Sequence, residues 1–198
     1  MKRRLARILL RLFGWKIEGA KPPIDRYVLI AAPHTSNWDF PLMMAFAAAF
    51  DIRIKWMAKH SLFRPPMGPF MRAMGGLPII RHESRNIVDN MVAALESAEQ
   101  LVLVVPAEGT RARVDYWKSG FYHIARQANV PIVPSFLDWG AKRGGFGPAM
   151  TPSGDVRQDM QYFRDFYAGM TGKFPELFGP IGLREEVDAD TRDNSGQA

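Results

Sequence analysis

The chain of 198 residues contains no cysteine. That excludes a disulfide scaffold, a cysteine-ligated zinc and a thiolate nucleophile, and it fits a reducing compartment without requiring one. Long apolar runs are missing too: no stretch approaches the ~20 residues needed to span a bilayer. The N-terminus is no clean signal peptide, because arginines interrupt its apolar residues and no small-residue cleavage site follows. Acid is absent from residues 1–16, which carry Lys2, Arg3, Arg4, Arg7, Arg11 and Lys16. These side chains account for the whole formal excess of +6, so the rest of the chain is neutral. Proteins that bind nucleic acid usually spread a basic stripe over the fold, and no nucleic-acid partner is expected. A basic arm woven through with apolar residues points to an anionic membrane surface instead.

What is present begins with that arm. Residues 3–14 read as an amphipathic helix, with Leu5, Ile8, Leu9 and Leu12 on one face and Arg4, Arg7 and Arg11 on the other. Trp15 follows, a residue type that favours membrane interfaces. The competing reading is a helix packed on the domain with a solvated basic face. Beyond it, short apolar runs alternate with helical segments. Strands are predicted over Tyr27–Ala32, Ile52–Ala58, Leu77–Ile80, Leu101–Val105 and Ile132–Leu137. Helices are predicted over Pro41–Phe50, Asn86–Ala98, Ser119–Ala128 and Asp159–Met170, with a loop and short helix in 64–75 and a turn or hairpin in 140–154. Apolar runs without alternation indicate strands buried on both faces. The expected fold is α/β, a mixed, mostly parallel central sheet covered by helices on both faces. The organisation read from this is a membrane-docking helix in 1–16, one domain in 17–184 and a polar, acidic, disordered tail in 185–198.

Four segments carry candidate chemistry. His34-Thr-Ser-Asn-Trp-Asp39 follows the first of these strands. In a continuous helix His34 and Asp39 would stand about 140° apart, so they meet only if His34 lies in the turn before a helix that Asp39 begins. Ser36 with Asp39 three residues on resembles a capping box, and Pro41 is tolerable only near a helix start. Asp39 would then orient one imidazole nitrogen and leave the other to take a proton. Taken alone, the pair reads at least as well as a structural histidine and a helix-start aspartate. Pro106-Ala-Glu108-Gly109-Thr110-Arg111 follows a buried strand, where α/β folds build sites. It combines a flexible glycine, a hydroxyl and a guanidinium suited to phosphate, or it is a plain surface turn. Gly76-Leu-Pro-Ile-Ile-Arg81 and Val130-Pro-Ile-Val-Pro134 are weak taken singly. Met43, Met44, Phe46, Met67, Phe70, Met71 and Met74 are candidates for an acyl groove or for ordinary core.

In their fixed order, H-x4-D, G-x4-R, E-G-T-R and V-P-I-V-P make the chain resemble the lysophosphatidate (1-acylglycerol-3-phosphate) acyltransferase superfamily, from about Tyr27 to Trp139. The stretch Lys118–Ala125 also resembles the family's segment after the third motif. The resemblance implies His34 as general base with Asp39 as its partner. It implies phosphate and glycerol contacts for Arg81, in the motif opened by Gly76, and for Glu108, Gly109, Thr110 and Arg111, with Lys59 and Lys118 as further basic candidates. Two departures stand out: Ala107 occupies the usual place of a proline before the glutamate, and Ile80 stands where many relatives have a polar residue.

The function so implied is transfer of a fatty acyl group from acyl-CoA or acyl carrier protein to the hydroxyl of a lysophospholipid, 1-acylglycerol-3-phosphate by default. Acyl-CoA or the carrier protein enters as co-substrate, with no cofactor and no metal. The expected place is the cytoplasmic face of the inner membrane, as a peripheral or monotopic protein. Alternatives are another acceptor such as a lyso-ornithine lipid, a non-catalytic lipid-phosphate binder, or a hydrolase that uses the same base on water.

Overall fold

The computed structural model describes residues 1–79 and 84–186. Its apolar runs become strands: β1 Lys16–Glu18, β2 Arg26–Ala31, β3 Ile54–Lys59, β4 Gly76–Ile79, β5 Leu101–Pro106, β6 Ile132–Asp138 and β7 Arg143–Phe146. They form one sheet in the order β1-β7-β6-β2-β5-β3-β4. β2 to β6 run parallel to one another, β7 runs antiparallel to β6, and β1 lies parallel to β7. The helices are α1 Lys2–Leu12, α2 Asp39–Phe50, α3 Gly68–Ala73, α4 Ser84–Ser97, α5 Gly120–Gln127 and α6 Val156–Tyr167. The expected mostly parallel sheet, covered by helices on both faces, is the fold found.

Side chains of a strand alternate between sheet faces, and β2 shows where they go. Val28 and Ile30 join one core with Leu95 of α4, Phe121 of α5 and Phe163 of α6. Tyr27 and Leu29 join the other with Leu10 of α1 and Phe46 and Phe50 of α2. Both faces are dry, which is why these strands read as unbroken apolar runs. α2 is apolar all round for the same reason: it lies between the sheet and α1.

The short strand β1 is absent from the sequence reading, because Lys-Ile-Glu carries no strand pattern. It pairs with β7 in the register Ile17↔Gly144 and Glu18↔Gly145. A Cβ on Gly145 would fall on the Glu18 carbonyl, so the close approach of these two backbones depends on that glycine.

α1 forms where expected, and the side it lays on the domain is a narrow one. Its buried residues are Ala6 and Leu10, and Arg7 Nε donates to the Ala49 carbonyl of α2 at 3.1 Å. The leucine face points outward, with Leu5 57%, Ile8 55% and Leu12 76% exposed. Trp15, expected at a membrane interface, is buried, and this corrects the sequence reading. The helix ends in a Schellman turn, with the Trp15 amide on the Leu10 carbonyl at 2.8 Å and Gly14 at φ +77°. That turn sends the indole inward, edge-on to Phe46 and Trp139 at 5.9 and 5.1 Å. At the other end, Glu186, expected in the tail, is tied to the body by Arg164 at 2.9 Å and by the Leu183 amide at 2.8 Å. The remainder of the expected tail, 187–198, lies outside the described residues.

Candidate active site

β2 and β5 are neighbours at the centre of the sheet and end level, with Ala31 opposite Pro106. Their following loops therefore leave side by side at the carboxyl edge, the place where α/β sheets build sites. The β2 loop carries His34 into the turn before α2, and Asp39 is the first residue of that helix. The imidazole Nδ1 lies 3.3 Å from Asp39 Oδ2. The same oxygen accepts from the amides of Thr35 and Ser36 at 3.0 and 2.9 Å. Ser36 Oγ in turn accepts from the Trp38 amide at 3.1 Å. The carboxylate reaching back to the Ser36 amide is half of the expected capping box; the Ser36 hydroxyl takes the amide of Trp38, the residue before the helix, instead of that of Asp39. Asp39 is 3% exposed, and these donors make its burial tolerable.

Two partners come from far along the chain. Asp39 Oδ1 accepts from the indole Nε1 of Trp139 at 2.9 Å. Trp139 follows β6, the other neighbour of β2. Glu108, in the β5 loop, accepts from the His34 amide at 2.7 Å. Behind these lies a strap of residues 171–174. Thr171 O accepts from the Trp139 amide at 2.9 Å, and the Phe174 amide donates to Thr35 Oγ1 at 3.2 Å. Lys173 Nζ sits 4.7 Å from the Trp139 ring centroid and 5.2 Å from that of Trp38.

A cavity of about 580 Å³ opens from this corner, within the range of small-molecule sites. His34 and Asp39 are in its wall, with Lys59, Gly109, Thr110 and Arg111. From there the lining is apolar and follows one side of α2 through Phe40, Met43, Ala47 and Phe50, with Trp56 and Leu137 from the sheet. At 1.5 Å per residue the helix carries it over about 15 Å. Of the groove candidates, Met43, Phe46 and Met71 line it; Met44, Met67, Phe70 and Met74 do not.

Several expected contacts are placed elsewhere. Glu108 is fully buried and absent from the cavity wall; its Oε1 holds the histidine turn, and its Oε2 has no hydrogen-bond partner among the described residues. Burial pushes that carboxyl up to about 7; the His34 amide pulls the other way, and Asp39 adds to the rise. Gly76 is also buried, and a Cβ there would press on the Phe63 ring at 2.9 Å, so it serves packing. Lys118 donates its amide to the Ala107 carbonyl at 2.8 Å. Its side chain lies where a Cβ on Gly109 would stand, 2.9 Å from Cγ, while Gly109 itself sits at φ +68°, a conformation suited to glycine. Arg81 lies outside the described residues. The residue missed in the sequence is Trp139. Its only signal was its place, at the end of a buried strand where the family resemblance stops.

The imidazole and carboxylate form an acid–base pair at the cationic end of an apolar slot. No curated protein matches the sequence. Among solved structures, the crystal structure of the 1-acyl-sn-glycerophosphate (LPA) acyltransferase PlsC from Thermotoga maritima matches in fold. The TM-score is 0.57 at 17% identity, covering 83% of this chain and 73% of that one. The profile of the Acyltransferase family matches residues 16–138, which contain His34, Asp39 and the whole E-G-T-R loop. On that match, over more than half of its length, the chain belongs to the Acyltransferase family.

Proposed function

We propose that the protein transfers a fatty acyl group from a thioester, acyl-CoA or acyl carrier protein, to the hydroxyl of a lysophospholipid, 1-acylglycerol-3-phosphate first among them. One observation carries this reading. The His34–Asp39 pair stands where a long apolar cavity meets Lys59, Thr110 and Arg111. An acyl chain fits the apolar length, and an anionic head group fits the cationic end.

In this mechanism Asp39 fixes the imidazole by Nδ1, and Nε2 takes the proton of the acceptor hydroxyl. The hydroxyl oxygen attacks the thioester carbonyl. A carbon–oxygen bond forms, the carbon–sulfur bond breaks, and the leaving thiolate receives the proton from the imidazolium. With no cysteine in the chain, direct transfer in a ternary complex is favoured over a covalent thioester enzyme. The outward leucine face of α1, with its arginines, supports docking at an anionic membrane, where both acyl-bearing partners reside. None of the described helices is long and apolar enough to cross a membrane, so the proposed attachment is peripheral.

The test is thiol release from acyl-CoA with a panel of lysolipids, with products identified by mass spectrometry. Acceptor-dependent release that His34→Ala abolishes, in a variant with unchanged circular dichroism, supports the reading. Release that needs no acceptor points to a hydrolase. No release with any donor or lysolipid ends the proposal.

A further inference from the structure

We propose that the surface around α3 is a second docking site for an anionic lipid bilayer, set at the mouth of the apolar cavity and separate from α1. The argument begins with composition. From Ile52 to His82 the chain has no aspartate or glutamate, so basic side chains there meet no acid of their own segment.

Within this stretch, His60–Phe63 forms a 3-10 turn ahead of α3. Phe63 anchors the segment. It is buried, with Trp56 of β3 at 6.3 Å between ring centroids. The glycines Gly68 and Gly76 leave no room for a Cβ beside it. Met71 packs inward on the same core as α1 and α2, so the segment belongs to the sheet face that carries α1. With those anchors in place, the other apolar side chains are turned out. Leu62, Met67 and Phe70 are about half exposed, at 49%, 48% and 56%; Met67 is the residue that caps α3, and Phe70 lies in its first turn. Arg64 and Arg72 stand beside them, exposed. Exposed apolar residues rimmed by cations of one sign fit a surface that is both apolar and anionic.

Position adds the second argument. Leu62 is half exposed and also lines the cavity, as do Ser61 and Lys59. The cavity therefore reaches the surface within this patch. A bilayer seated there lets an acyl chain pass between lipid and cavity without crossing water. That use rests on the cavity being an acyl site; the docking itself does not.

The absence of cysteine allows single labels. An environment-sensitive fluorophore is placed on Met67→Cys, on Leu9→Cys in α1, and on Gln158→Cys in α6, across the sheet, in otherwise unchanged full-length protein. With vesicles of equal phosphatidylglycerol and phosphatidylcholine, the Met67 and Leu9 labels shift to the blue and brighten several-fold, and the Gln158 label does not. The response weakens with added salt. The double substitution Met67→Ser, Phe70→Ser lowers vesicle co-sedimentation several-fold while thermal unfolding stays unchanged. A Met67 label that stays water-like while the Leu9 label shifts overturns the proposal. So does a response equal on pure phosphatidylcholine, or one given by an acidic carrier protein and not by vesicles. A full Met67 response in a protein that transfers no acyl group leaves the docking surface standing and removes only the enzymatic reading.

Discussion

The indole N–H of Trp139 donates to Asp39 Oδ1 at 2.9 Å, leaving Oδ2 to the imidazole of His34 and the amides of Thr35 and Ser36. Each carboxylate oxygen thus has its own task. Oδ1 is tied to the strap side of the molecule, and Oδ2 holds the turn and faces the base. Trp139→Phe keeps one aromatic ring beside Trp15 and Lys173 and removes the donor with the rest of the indole. A hydrogen bond to a charged group contributes about 1.5–3 kcal/mol. The expected outcome is a fall in kcat of about tenfold or more, with KM little changed, measured by steady-state thiol release. An unchanged kcat would show that this bond does not position the pair.

Glu108 gives a prediction in pH. Its folded value of about 7 exceeds the ordinary 4.5, so the folded protein holds this proton more tightly than the unfolded chain. The stability contributed is complete below 4.5 and is lost as pH rises through about 7. Glu108→Gln keeps an acceptor for the His34 amide and has no proton to lose. Between pH 5 and 8 the wild-type Tm should drop by more than that of the variant. The difference corresponds to a few kcal/mol, at about 1.4 kcal/mol per pKa unit. Parallel Tm profiles for the two proteins would place Glu108 ionised throughout.

The cavity gives a prediction in chain length. Ala47 lies in its wall near the middle of α2. Ala47→Leu puts three more carbons into the slot. Turnover of long-chain acyl donors should fall at least tenfold in kcat/KM, in keeping with the ~10–200-fold that single methylenes decide in apolar pockets. Short-chain donors should be turned over as before. Equal loss for every chain length would mean that the acyl group lies elsewhere.

Arg111 distinguishes head groups. It is exposed at the cationic end of the cavity wall, free to meet an anion. Arg111→Ala should raise KM about tenfold or more for a phosphate-bearing acceptor and leave an uncharged one unaffected. The same kinetic series with both acceptors checks it; equal effects on the two would remove Arg111 from phosphate recognition.

The legible part of this molecule is local. Four residues separate His34 from Asp39, and Ser36, Asp39 and Pro41 together signal a helix start, so their meeting at a turn was readable. The strands were readable because both faces of the sheet are covered, leaving apolar runs. The amphipathic pattern of α1 says which side is apolar but not which side the domain covers. α2 offers it a narrow seat that takes Ala6 and Leu10, and the leucines remain outside. The family resemblance implied a ligand contact for Glu108, and its burial beneath the His34 turn has no mark in the sequence.

What the sequence determined by itself, then, is the succession of the five central strands with their helices and the His34–Asp39 turn, because backbone preference and hydrophobic period act over a few residues. Only the tertiary structure decided which partners surround that turn. Glu108 reaches the His34 amide because β5 lies against one side of β2, and Trp139 reaches Asp39 because β6 lies against the other. Strand order is set by how the whole chain buries its apolar faces, and no local stretch of residues carries that information.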